Sequence, residues 1–126
     1  MLIFLDIRVG ASVTEAKDLK SMKEGHLLYW KRETEKYLMR RCAYTILHVG
    51  RLTSGSGGEY KILQDVDDRL LRSPYSSISH EDCAEVIIQA LLFREAQRRS
   101  IDIAVGSERG KTDWIDFWTN NANCHY

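Results

Sequence analysis

The chain opens with an almost unbroken run of large apolar side chains. Six of the eight residues from 2 to 9 are apolar, and only Asp6 and Arg8 interrupt them. Such a run is typical of a strand that helices cover on both faces of a parallel sheet. We therefore predict a first buried strand over residues 2–9.

The next strong pattern has helical spacing. Between residues 26 and 41, apolar and aromatic side chains recur every three or four positions, and charged side chains of both signs fill the positions between them. This predicts an amphipathic helix over residues 26–41. Residues 43–49 are β-branched and aromatic and end at Gly50, which predicts a second strand, parallel to the first and reached by a right-handed crossover.

Residues 51–78 have a weaker pattern and read as an excursion from the main fold. A Gly/Ser-rich loop leads to a short predicted strand over residues 59–63, and Pro74 marks the exit. The acidic run of Asp65, Asp67 and Asp68 has two interpretations, a cation site or a solvated turn. The turn is favoured because the run lacks the twelve-residue calcium-loop pattern.

A second helix has a clear start. Ser79 supplies a hydroxyl cap, Asp82 follows three residues later, and apolar positions then repeat at helical spacing. The basic residues Arg94, Arg98 and Arg99 predict its end, since cations favour a helix C-terminus. A third buried strand is predicted over residues 101–105, followed by a short terminal helix over residues 112–121.

These elements predict an α/β fold with a partial Rossmann-like, doubly wound parallel sheet. Three main parallel strands are joined by crossover helices, and the whole chain of 126 residues forms one domain with the excursion at 51–78. The fold class alone does not specify a function.

Composition excludes several classes of partner. Eighteen basic and eighteen acidic residues cancel, so nothing in the charge favours nucleic acid or an anionic membrane surface. The opening apolar run is far shorter than the roughly 20 residues of a membrane span, and we expect no transmembrane segment.

The spacing of the cysteines and histidines gives no indication of a metal site. Three widely spaced cysteines indicate reduced thiols in an intracellular compartment, with Cys42 and Cys83 in the core and Cys124 exposed near the end. The four histidines lack ligand spacing, so no metal site is predicted. The glycine-rich residues 54–58 open no helix and are interpreted as a flexible loop, not a phosphate-binding turn.

Several motifs in order carry a family resemblance: Leu-Tyr-Trp-Lys-Arg-Glu-Thr-Glu-Lys-Tyr-Leu at 28–38, Ala-Tyr-Thr-Ile-Leu at 43–47, and Ile-Ser-His-Glu-Asp-Cys-Ala-Glu-Val at 78–86. In these the chain resembles atypical short-chain dehydrogenase/reductases, of the NmrA-like or NAD-dependent epimerase-like type found in plants and cyanobacteria. The resemblance runs from about residue 2 to residue 118 and implies only the C-terminal half of such a protein. It further implies no cofactor for this chain alone, and NAD(P) if an N-terminal half is supplied.

The resemblance also assigns positions in the family's active site. Lys31 stands at the family's lysine, but Leu27 stands at the tyrosine and Ile7 at the serine, so no catalytic residue is expected. Tyr29 lies roughly 200° around the helix from Leu27 and cannot replace that tyrosine.

Four residues are implied to contact the cofactor. Lys31 would reach the nicotinamide ribose, and Val49, Gly50 and Arg51 match the strand-end turn that passes the nicotinamide. Three of them also have a simpler interpretation: Lys31 is a solvated charge, Gly50 only ends a strand, and Arg51 covers the neighbouring loop.

Partner contacts are expected at the first strand, which would lie beside a strand of the other half. Its unpaired edge and adjacent face need covering, and the predicted contact residues are Leu2, Phe4, Asp6 and Arg8. Trp114 and Trp118 lie one turn apart near the end of the chain. They suit either core packing or docking against a partner.

The sequence therefore favours a non-catalytic accessory or structural subunit, a pseudoenzyme that docks into a larger protein complex or onto a second copy. The alternative is the C-terminal part of an NAD(P)-binding oxidoreductase or epimerase-like protein. A third class is a small-molecule binder that uses residues 49–58, which is less favoured because few polar groups converge there. The resemblance adds a plastid location as an expectation.

Overall fold

The computed structural model describes residues 2–7 and 27–119. Strands and helices follow in this order: β1 (Leu2–Ile7), α1 (Leu27–Arg41), β2 (Tyr44–Val49), β3 (Arg51–Thr53), β4 (Tyr60–Asp65), β5 (Ser77–Ser79), α2 (His80–Leu92), a 3-10 turn (Arg94–Ala96), β6 (Arg99–Arg109) and α3 (Trp114–Thr119). Val9, Arg8, His26, Cys124 and the end of the predicted terminal helix lie outside the described residues.

The main sheet has four strands in the order β1-β2-β6-β4. Strands β1, β2 and β6 run parallel, which confirms the predicted three-stranded parallel core of a Rossmann-like fold. Strand β4 was expected in an excursion. Instead it pairs antiparallel with β6 and forms one edge of the main sheet.

The face of the sheet under α2 is apolar. Leu47, Ile101 and Ile103 are fully buried on it, and Val86 and Ala90 of α2 pack against them with no exposure. Helix α2 begins as predicted, because the Ser79 hydroxyl accepts a hydrogen bond from the Asp82 backbone N–H at 3.0 Å. This face forms the hydrophobic core.

The predicted end of α2 was wrong. The helix stops at Leu92 and Phe93 is extended, whereas the basic residues lie beyond it. Arg98 adopts a left-handed φ of 60°, and Arg99 is 3% exposed at the start of β6. The Arg99 guanidinium donates to the Trp118 carbonyl at 3.0 Å, so it supports the core and does not cap the helix.

A second, two-stranded parallel sheet joins β3 to β5 and was not predicted. Gly50 directly precedes β3 and lies very close to the backbone of Ser76. A Cβ on this residue would lie 2.4 Å from the Ser76 carbonyl oxygen, which accepts a hydrogen bond from Arg51 N–H. The position requires glycine for the packing of the chain itself.

Strand β1 forms one edge of the main sheet. No other strand among the described residues pairs with its outer side. Leu2 is 44% and Ile7 38% exposed, while Phe4 is half-buried. None of the described helices is long and apolar enough to cross a bilayer.

The two tryptophans near the end differ in exposure. Trp118 is 1% exposed and packs edge-on against Phe117, so it belongs to the core and offers no surface to a partner. Trp114 is half-buried beside the same ring. Cys83 is buried as predicted, whereas Cys42 is only partly covered.

Candidate cofactor site at the carboxyl ends of the parallel strands

The parallel strands bring three polar side chains into one row. Asp6, His48 and Asp102 occupy matching register positions on β1, β2 and β6, so their side chains share a face of the sheet. All three are at most 5% exposed. In open α/β sheets, ligands bind beyond the carboxyl ends of the strands, and Asp6 and His48 are each the last residue but one of their strand.

Helix α1 covers this row with charged side chains. Glu35 is fully buried, and its Oε2 lies 3.0 Å from His48 Nε2. Its other oxygen, Oε1, accepts a hydrogen bond from the Arg32 guanidinium at 3.1 Å. A carboxylate without exposure is tolerated because cationic or hydrogen-bonding groups surround it.

The other side of the imidazole faces two further carboxylates. His48 Nδ1 lies 3.5 Å from Asp102 Oδ1 and 3.9 Å from Asp68 Oδ1. Asp68 is 2% exposed, so the prediction of a fully solvated acidic turn was wrong at this residue. Consecutive left-handed residues, Asp67 and Asp68 at φ 58° and 60°, turn that side chain inward. Asp6, Glu35, His48, Asp68 and Asp102 are called the His48 cluster below.

Burial dominates the electrostatics of Asp102. Removal from water raises the pKa of this carboxyl above its ordinary value, and the nearby His48 opposes the shift. The Leu70 backbone N–H donates to Asp102 Oδ2 at 3.4 Å and also favours the charged form. The geometry is that of an imidazole held between carboxylates on both sides.

The ligand atoms of two triads in the His48 cluster lie within 4.8 Å of one another: Asp6 with Glu35 and His48, and His48 with Asp68 and Asp102. The ion pairs already described account for these approaches as a buried charge network. Sequence reasoning missed the cluster since its members are far apart along the chain. A usable signal was a polar residue near the carboxyl end of each of two buried parallel strands.

Lys31 is placed at the edge of this network. Its ammonium donates to the Ile7 carbonyl oxygen at 2.6 Å and forms an ion pair with Asp6 Oδ1 at 3.4 Å. The side chain is 25% exposed, so it is neither freely solvated nor enclosed. An ammonium has three N–H donors, and these two contacts leave one for a ligand.

The other predicted cofactor residues are not gathered around Lys31 by side-chain contacts. Val49 is fully buried in the core under α2, Gly50 is packed against Ser76, and Arg51 is exposed. Helix α1 begins at Leu27, whose side chain lies outside what the structure describes. Ile7 is the last residue of β1 and contributes its carbonyl to Lys31.

Comparison with known proteins decides the family. A family model described as NAD(P)H-binding matches residues 4–93, which is most of the chain. The chain belongs to the NAD(P)H-binding family. Within it, the NmrA-like, atypical short-chain dehydrogenase/reductase character that the sequence motifs suggested is confirmed.

Two curated relatives of this chain are from plants. An uncharacterized chloroplastic protein of Arabidopsis thaliana is 37% identical over 100 residues, covering 79% of this chain and 31% of the relative. Sanguinarine reductase of Eschscholzia californica is 36% identical over 86 residues, covering 68% of this chain and 32% of that enzyme. The chain thus spans about a third of the length of the curated relatives it matches.

A solved structure supports the fold. A Bacillus halodurans protein assigned as an NAD-dependent epimerase/dehydratase superposes with a TM-score of 0.62 at 21% sequence identity. The match covers 84% of this chain and 47% of that protein. At this identity the likeness establishes a shared Rossmann-like architecture.

Proposed function

We propose that this chain provides the nicotinamide-side half of the cofactor site in an NAD(P)-dependent oxidoreductase, completed by a segment or partner that provides the phosphate-binding half. The main support is the position of Lys31. Asp6 and the Ile7 carbonyl hold its ammonium at the carboxyl edge of the parallel sheet. Membership of an NAD(P)H-binding family and similarity to a reductase support this proposal. The sequence alone favoured a non-catalytic subunit and kept part of an oxidoreductase as the alternative, whereas we now favour the oxidoreductase.

The role of Lys31 in this proposal is to bind and orient. Its fixed ammonium donates its remaining N–H to a ribose hydroxyl, and the buried Asp6 prevents the side chain from swinging away. NAD(P)H, when bound, supplies the hydride. Neither Ile7 nor Leu27 carries a hydroxyl, so proton transfer in this proposal falls to other groups.

Saturation-transfer NMR with NADPH and the purified chain tests the proposal. Without a phosphate-binding half we expect only weak, millimolar contact, with stronger saturation of the nicotinamide and adjacent ribose protons than of the adenine protons. Lys31→Met should abolish that bias. Lys36→Met is the matched control, because Lys36 is exposed on the same helix and pairs only with Glu33 among the described residues.

Two results would overturn the proposal. One is preferential saturation of adenine, and the other is a nicotinamide signal that Lys31→Met leaves intact. The second would show that the ammonium does not touch the cofactor.

A second candidate is the accessory subunit, favoured by the edge of β1. Leu2 and Ile7 expose apolar surface beside a strand edge that no described strand pairs. In this candidate another polypeptide, a second copy or another subunit of a complex, covers that edge, and a plastid location is suggested by the chloroplastic relative.

Sedimentation velocity separates the candidates. If β1 is an interface, the isolated chain self-associates and Leu2→Lys shifts it to monomer. Leu91→Lys is the control, because Leu91 is also exposed and apolar but lies on α2. A monomeric wild type, or an association that only Leu91→Lys disrupts, contradicts an interface between two copies of this chain at β1.

A further inference from the structure

A cleft in the described part of this chain lies on the opposite side of the sheet from Lys31. It measures about 530 Å³, within the range of small-molecule sites. Its walls are α2, the end of the β4–β6 pair, the loop at residues 57–58 and the segment at residues 110–114. The cleft is therefore assembled from four separate parts of the chain.

Three carboxylates line the cleft. Glu81, Asp82 and Glu85 lie on one side of α2, and Lys111 is the one cationic side chain among the lining residues. None of the three forms an ion pair with a cation in the described part of the chain. The cleft thus has an excess of negative charge.

These carboxylates are held in place by the chain itself. Glu81 Oε2 accepts the Gly57 N–H at 2.8 Å, and Asp82 Oδ1 accepts the Gly58 N–H at 2.9 Å. Glu85 Oε1 accepts a hydrogen bond from the Gln89 amide at 2.8 Å. A carboxylate accepts about four hydrogen bonds, so each keeps capacity for a further donor.

The loop that fixes them is built for close approach. A Cβ on Gly57 would lie 2.8 Å from Asp82 Oδ1 and 2.9 Å from the Glu81 Cβ. Gly58 has a left-handed φ of 82°. The glycines of the Gly/Ser loop therefore bring backbone donors against the first turn of α2, where sequence reasoning expected few polar groups to converge.

Aromatic rings complete the cleft. Trp114 lines it and is steadied by an edge-on contact with Phe117 at 5.1 Å between ring centroids. Tyr60 also lines the cleft, and the Arg109 guanidinium lies over its ring, 5.2 Å from the centroid. The Trp114 ring beside carboxylates that outnumber the cationic Lys111 in the cleft lining favours cations with a flat or N-alkylated apolar body, through cation–π and charge interactions together.

We propose that this cleft binds a small organic cation with an aromatic or N-alkylated body. Glu85 and Glu81 supply the charge, and Trp114 supplies the stacking surface. The proposal is independent of the nicotinamide site, because the residues that line the cleft include neither Lys31 nor any member of the His48 cluster.

The test uses three probes of nearly equal size: N-methylquinolinium, quinoline and 2-naphthoate, titrated at neutral pH without nucleotide. Amide chemical-shift changes in two-dimensional NMR give both affinity and location. We expect N-methylquinolinium to bind roughly tenfold more tightly than uncharged quinoline, with shifts centred on residues 57–58, 81–89 and 110–114. The anion 2-naphthoate should bind more weakly than either.

Two variants assign the effect. Glu85→Gln should weaken N-methylquinolinium binding roughly threefold to fivefold and leave quinoline unchanged, because it removes charge and keeps shape. Glu95→Gln, an exposed position outside the cleft, makes the same charge change and should have no effect. Trp114→Leu should weaken binding roughly tenfold.

The proposal is overturned if quinoline binds as tightly as the cation or if 2-naphthoate binds more tightly. It is overturned equally if Glu85→Gln and Glu95→Gln behave alike, or if the cation shows no saturable shift at the cleft. Should Trp114→Leu fail to fold, the comparison of the two glutamate variants still decides.

Discussion

The parallel part of the main sheet has two faces that are built from the same three strands and differ sharply in chemistry. Under α2, Leu47 and Ile101 pack against Val86 without any exposure. Under α1, His48 and Asp102 occupy the neighbouring positions of the same strands and meet Glu35. One face is stabilised by apolar burial, whose energy adds with area, and the other by a charge network, in which each member depends on the rest.

The polar character is local even on the α1 face. Ile46, two residues before His48, is fully buried on that face and apolar. The change occurs at the carboxyl end of the strands, the end where α/β proteins bind ligands. The comparison teaches that, on one face of β2, the stabilising interactions change from apolar packing at Ile46 to charge interactions at His48, two residues further along the strand.

The largest effect is expected on the apolar face. Ile101→Ala should lower the free energy of unfolding by about 4 kcal/mol, since it removes a fully buried side chain from a core that cannot fully collapse around the gap. Urea denaturation measures the change. Ile88→Ala, on the exposed side of α2, should change stability by less than about 0.5 kcal/mol. Equal effects would mean that α2 does not pack on this face as described.

Breaking the charge network should cost somewhat less. His48→Phe should lower the free energy of unfolding by about 3 kcal/mol, because it leaves buried carboxylates without their imidazole partner. His80→Phe, at an exposed position, is the control.

A double-mutant cycle of His48→Phe with Glu35→Gln should then show a coupling of about 1.5 kcal/mol or more in urea denaturation. Additivity of the two changes would show that the 3.0 Å contact contributes no pairwise energy.

The network should also respond to pH with a defined sign. Burial raises the pKa of Asp102 in the folded protein, so the folded state holds this proton more tightly than the unfolded chain. The wild type therefore loses stability from this carboxyl as pH rises through the carboxyl range, and Asp102→Asn lacks that loss. Urea denaturation between about pH 3.5 and 5.5, below the histidine range, should show stability changing more favourably with rising pH in Asp102→Asn. An opposite difference in slope would contradict the burial effect.

The smallest effect concerns the helix that covers the apolar face. Ser79→Ala should lower stability by about 1 kcal/mol, because it removes the side-chain acceptor of the Asp82 N–H. Ser79→Asp, which keeps an acceptor, should restore most of the loss. If both variants behave alike in thermal unfolding, the cap does not hold α2.

Much of the fold was predictable because its signals are local. The apolar run of β1, the helical period of α1 and the cap at Ser79 each depend on a few neighbouring residues. The antiparallel pairing of β4 with β6 was not, since pairing partners lie some 40 residues apart and no local pattern encodes them. The end of α2 failed for a related reason: Arg99 satisfies buried acceptors that only the folded chain brings near.

The site was predictable only in part. Lys31 was found through its motif, and its partly exposed side chain, paired with Asp6, agrees with either a ligand contact or a structural ion pair. The His48 cluster was invisible since Glu35 looks like any charge on a solvated helix face until α1 is docked. In the sequence, the acidic residues near the start of α2 only indicate a favourable helix N-terminus. The folded loop at Gly57 shows that they also line a cleft.

The order of strands has one more consequence, for amide hydrogen exchange. Strands β2 and β6 have hydrogen-bonded neighbours on both sides, whereas β1 and β4 border the sheet among the described residues. Backbone amides of Ile46 and Ile101 should therefore exchange only through global opening, and those of β1 through local fraying at much lower free energy. If another polypeptide adds a strand beside Phe4, the first measurable sign should be slower deuterium uptake by the backbone amides of β1.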